Sequence, residues 1–174
     1  MFGHERDAIA FGGDKIDFGG SLRRLKAHAG FYQLLLQPLC VDFDSLAGLQ
    51  ELELDDCHRP VGDRSNELFQ VIAPTLEKLT IKYSDPPSIT RNLPLLNYLS
   101  QLSIQLEEEE DPAPLLHSLP DSLPFLRLSS YIDLQPILLR WFAEPSLVPA
   151  SLKHIQIDVI LEEDTFRQLP SIDR

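Results

Sequence analysis

The sequence predicts an α/β fold: a stack of similar units, each made of one short strand and a return segment. Three observations predict it. Leucine supplies 32 of the 174 residues, far above its ordinary share. One short pattern, apolar-x-x-apolar-x-apolar, occurs six times at narrow spacing. Prolines stand just ahead of three of those copies, in register.

The copies are Leu22, Leu25 and Ala27; Leu49, Leu52 and Leu54; Leu76, Leu79 and Ile81; Leu99, Leu102 and Ile104; Leu123, Leu126 and Leu128; and Leu152, Ile155 and Ile157. They start 27, 27, 23, 24 and 29 residues apart, a regularity that chance does not produce. The last two apolar positions lie two apart, so both point to one side of a short strand. The first turns the chain into that strand. Such strands can stack in parallel about 4.8 Å apart, with the return segments outside. No unit can bury its apolar side alone, and stacking makes one continuous core.

The return segments read as helix-like. Ser65 is expected to cap a helix from Asn66 to Ile72, with Leu68, Phe69 and Ile72 on one face. Asp111 is expected to cap another, with Pro112 at its first position and Leu115, Leu116 and Leu119 inside. Asp133 opens a stretch holding Leu134, Ile137, Leu138, Trp141 and Phe142, and Glu163 or Asp164 opens one with Phe166 and Leu169. The spacing places Trp141 on the core side of its helix. Pro74, Pro120 and Pro149 end return segments and force the chain to extend before the next strand.

The segment with Leu46, Leu49, Leu52, Leu54 and Cys57 resembles a leucine-rich repeat, with Cys57 where that family carries Asn or Cys. The resemblance covers residues 22–172. It implies a leucine-rich-repeat solenoid of six repeats, with parallel strands on the concave side and helices on the convex side. The other copies depart from the pattern, with Gly30, Ser84, Glu107, Tyr131 and Ile160 at the Asn/Cys position. The family's internal Asn ladder is therefore expected to be missing and the curvature to be irregular. The phrase from Ala73 to Ile81 is similar to the divergent repeats of fungal F-box proteins. That resemblance implies the substrate-receptor portion of a ubiquitin-ligase component, with ubiquitin-ligase components as partners. The 21 residues ahead of Leu22 are too few to hold an F-box.

Two regions follow from this reading: residues 1–21 as an irregular N-terminal lead or cap, and residues 22–174 as the repeat array. The lead holds Phe-Gly-Gly twice, at 11–13 and 18–20, which suggests a loop or hairpin. It lacks the Gly-Lys-Ser/Thr of a phosphate loop. Pro170, Ser171 and Ile172 look like the opening of a seventh copy without its strand, so the array is expected to be truncated at that end.

Composition narrows the function. No apolar run approaches the roughly 20 residues of a membrane span. Glu5, Arg6 and Asp7 stand where a signal peptide needs apolar residues. Cys40 and Cys57 are too few for a disulfide framework. None of Asn66, Asn92 and Asn97 begins a glycosylation sequon. These features point to an intracellular protein, cytoplasmic or nuclear. The net charge of −12 argues against nucleic acid and anionic membranes as partners.

No catalytic constellation is visible, and no enzyme activity, cofactor or metal is expected. His4, His28, His58, His117 and His154 are dispersed. Cys57 and His58 are adjacent but point to opposite sides of a strand exit. Cys40, Cys57 and His58 lack the second close pair of a metal site. The acidic run from Glu107 to Asp111 reads as a solvated loop.

The positions between the strand leucines carry more information. They are Arg24, Lys26 and His28; Glu51, Glu53 and Asp55; Lys78, Thr80 and Lys82; Gln101, Ser103 and Gln105; Phe125, Arg127 and Ser129; and His154, Gln156 and Asp158. The first three strands read basic, acidic, basic. Ladder neighbours are expected to pair Arg24 and Lys78 with Glu51, and Lys26 with Glu53. These 18 positions carry five bases and four acids, so the acidity of the chain lies elsewhere. The reading is a non-catalytic module that binds a protein partner on this face, with Arg24, Lys26, His28, Glu51, Glu53, Asp55, Lys78, Thr80, Lys82 and Arg127 as the contact residues.

Overall fold

A computed structural model describes residues 16–28, 35–36, 41–55, 64–82, 89–106, 113–131, 134–144 and 148–159. Six strands occupy the six repeated patterns: β1 (Arg24–His28), β2 (Glu51–Asp55), β3 (Lys78–Lys82), β4 (Gln101–Leu106), β5 (Phe125–Ser130) and β6 (His154–Val159). They form one parallel sheet in sequence order, each strand hydrogen-bonded to the next. The register aligns the repeats: Leu52 lies opposite Leu25 and Leu79, and Leu126 opposite Leu102 and Ile155.

The first leucine of a copy makes the turn that the pattern requires. The N–H of Leu49 donates to the Leu46 carbonyl (2.9 Å), that of Leu99 to Leu96 (3.1 Å), and those of Leu123 and Leu152 to Pro120 and Pro149 (both 3.0 Å). One further bond pattern recurs. The carbonyl of Arg23 accepts from the N–H groups of both Gln50 and Glu51, that of Gln50 from Glu77 and Lys78, that of Glu77 from Ser100 and Gln101, and that of Pro124 from Lys153 and His154. The step from the fourth copy to the fifth falls outside this series. There Pro124 occupies the first donor position and has no N–H to give.

Alternation sends one set of side chains into the core. Leu52, Leu54, Leu79, Ile81, Leu102, Ile104, Leu126 and Leu128 are at most 5% exposed. The return segments close over them. Helix α1 (Arg64–Ile72) buries Leu68, Phe69 and Ile72. The single turn α2 (Ala113–Leu116) buries Leu115 and Leu116, and Leu119 is buried beyond it. Helix α3 (Gln135–Phe142) buries Leu138 and Trp141, with Leu134 buried just ahead. Trp141 is on the core side as expected, whereas Phe142 is 47% exposed with its ring centroid 5.2 Å from that of Trp141.

Two return segments differ from the helical expectation. They carry short 3-10 turns, Phe43–Leu46 and Leu93–Leu95. In the second, Pro94 sits within the turn, where a longer helix would leave its ring crowding the preceding backbone. Ser65 is also corrected: it lies inside α1 and is buried rather than standing ahead of it. Arg64 opens that helix instead, held by Glu67 at 3.0 Å and stacked 4.4 Å above the Phe43 ring. The proposed caps Asp111, Asp133, Glu163 and Asp164 lie outside the described residues, as do Cys40, Cys57, His58 and the acidic run to Asp111.

Ahead of β1, Ile16 bridges to Val41. Gly19 and Gly20 then turn the chain with φ of 66° and 65°, which side chains disfavour. The Asp17 carboxylate accepts the Gly19 N–H at 2.7 Å.

Candidate functional site

The outward side of the sheet is polar because strand residues alternate. All ten residues expected to contact a partner lie on it. Strand register arranges the 18 outward residues in three rows. The first runs Arg24, Glu51, Lys78, Gln101, Phe125, His154. The second runs Lys26, Glu53, Thr80, Ser103, Arg127, Gln156, and the third His28, Asp55, Lys82, Gln105, Ser129, Asp158.

The expected ion pairs are present. Glu51 is gripped from both sides, by Arg24 at 3.0 Å and Lys78 at 3.1 Å. Lys26 donates to Glu53 at 2.9 Å. Others cross between rows. Lys82 reaches Glu53 at 2.7 Å, and Asp55 meets Lys26 at 3.8 Å and His28 Nδ1 at 3.3 Å. At the far side Arg127 meets Asp158 at 2.6 Å, and Asp158 also accepts from the Gln156 amide at 3.1 Å. The missed signal was side-chain length: Lys82 and Arg127 reach the carboxylate one row away. Sequence reasoning had matched only residues directly opposite one another.

The geometry sets the electrostatics. The donated hydrogen bond of Lys82, then that of Lys26, holds the Glu53 carboxyl below its ordinary range. The Glu53 hydrogen bond raises Lys26 in turn. Asp158 is held low by the Gln156 hydrogen bond first and by Arg127 second. Charge is thus fixed on both sides of each contact near neutral pH.

Between these two charged regions lies an uncharged strip. Thr80, Gln101, Ser103 and Gln105 are half-buried and make no side-chain hydrogen bond or ion pair among the described residues. Phe125, half-buried next to Gln101 in the first row, is the one aromatic side chain of the 18.

Among the described residues, no group of three or more His, Cys, Asp or Glu could hold a metal ion. None of the described helices is long and apolar enough to cross a membrane. No protein-family model matches the chain, and neither does any curated protein or solved structure.

Proposed function

We propose that the chain is a leucine-rich-repeat solenoid acting as a non-catalytic protein-interaction module, with the polar strand face as its concave binding surface. The observation that carries this reading is the unbroken parallel register of six strands, which presents 18 side chains as one surface. A face whose backbone is already ordered loses little conformational entropy on binding. Its five bases and four acids leave it near neutral in sum, which favours a protein over a nucleic acid or an anionic membrane. Stacked-repeat proteins use their extended concave surfaces in this way.

The test is a footprint. A protein captured by the full chain is purified and bound again, and amide exchange with side-chain labelling maps the contact. Protection is expected at the outward positions of β2 to β5. Protection confined to α1 and α3 would show that the chain binds through its helical side, and the reading would fail.

A further inference from the structure

We infer that the uncharged strip is the point of contact: Gln101, Ser103, Gln105 and Phe125, with Thr80 beside them, receive an uncharged, extended segment bearing an aromatic or aliphatic anchor. This rests on the polar-face reading above and narrows it to one third of the face and one chemistry.

The charged regions are the weaker candidates. On β1 to β3 each of the three carboxylates already meets a cation or His28 at 3.3 Å or less. On β5 and β6 Arg127 is held at 2.6 Å by Asp158. A charged partner would have to replace contacts that exist without it, and would gain only the difference. The paired charges still serve specificity, because a charged segment laid on the strip would meet them unmatched.

The strip has the opposite properties. Its two amides each offer two donors and an acceptor, and its two hydroxyls can donate and accept. Half-burial between neighbouring strands limits how far these side chains wander, so ordering them on binding costs less. Gln101, Ser103 and Gln105 alternate along β4, so their side chains repeat about every 6.6 Å. An extended peptide repeats its backbone groups at the same interval, which lets it meet all three. Phe125 supplies the apolar contact that hydrogen bonds alone lack, flanked by Gln101 on one side and His154 on the other. Aromatic side chains held in a polar surround are the usual energetic anchors of protein interfaces.

The probe is a random peptide library displayed on phage and selected against the immobilised full chain. Enriched peptides are synthesised and their affinities measured by fluorescence polarisation. They are expected to be poor in charge and to share an aromatic or aliphatic residue. Phe125→Ala and the double variant Gln101→Ala with Gln105→Ala should each weaken binding roughly tenfold or more. Glu51→Gln and Glu53→Gln should leave it within about twofold, as expected for rim charges. Circular dichroism verifies folding, and the glutamine double variant keeps the test open if Phe125→Ala unfolds. Charged peptides that lose affinity with Glu51→Gln or Glu53→Gln but not with Phe125→Ala would overturn the strip while leaving the polar face standing. Peptides sensitive only to Leu139→Ser and Phe142→Ser on α3 would overturn both. Failure to enrich any peptide above an unrelated control also counts against the strip.

Discussion

The two faces of the sheet are made from alternate residues of the same strands, yet they hold together by different means. The inward face is apolar and sealed: on β2 to β5 its leucines and isoleucines have almost no contact with water. The outward face is a lattice of exposed pairs around an uncharged strip. Burial of a large aliphatic side chain is worth roughly 1.5–3 kcal/mol, whereas an exposed ion pair contributes roughly 0–1 kcal/mol. The inward face therefore carries stability. The outward face can change its residues at small cost to the fold, which leaves it available for recognition.

The sharpest way to break that comparison is at its strongest point. Leu79, fully buried on β3, should cost roughly 2–5 kcal/mol when changed to alanine. Urea denaturation gives the number, and a loss below about 1 kcal/mol would mean that the inward face is not a packed core.

The next test stays on the inward face and changes only its exposure. Ile81 is 4% exposed, whereas Ile157 in the last strand is 48% exposed. Ile157→Ala should therefore cost less than about half as much as Ile81→Ala, because less area returns to water. Equal losses in the two denaturation curves would place Ile157 in a sealed environment.

On the outward face, Glu51→Gln removes the carboxylate shared by Arg24 and Lys78. The expected loss is roughly 0–1 kcal/mol, shrinking as salt is added. A loss comparable to that of Leu79→Ala would erase the distinction between the faces.

The smallest effect is in pH. Glu53 has its carboxyl pKa lowered in the folded chain by Lys82 and Lys26. The unfolded chain therefore takes up that proton at higher pH than the folded one. The stabilisation is full above the ordinary value of 4.5 and is lost as pH falls through the lowered folded value. Thermal midpoints of the wild type and Glu53→Gln should accordingly converge on acidification. A gap that persists unchanged into acid would assign it to something other than the charge.

The strands were legible because the pattern repeats, and each copy constrains how the others are read. Leu52 and Leu54 alone could belong to a helix or a strand, but six copies in the same phase leave only the strand. The return segments were less legible. Leu93 and Leu96 have helical spacing, yet Pro94 between them permits only a 3-10 turn. Ser65 has the chemistry of a cap, but Arg64 found a carboxylate and an aromatic ring and began the helix one residue earlier. On the outward face, pairs directly across the ladder could be read from spacing. The diagonal contacts Lys82 to Glu53 and Arg127 to Asp158 could not, because they depend on side-chain reach and not on register.

The order of the strands has a consequence for how the chain acquires its shape. Every strand pairs with its neighbour in sequence, and successive strands begin only 23 to 29 residues apart. No loop longer than one unit has to close before a contact is rewarded, so the entropic toll of assembly is collected in small instalments. Folding can begin at any adjacent pair of strands and spread in both directions. Loss of structure should run the other way, with β6 releasing its amide protons to exchange before β3 and β4.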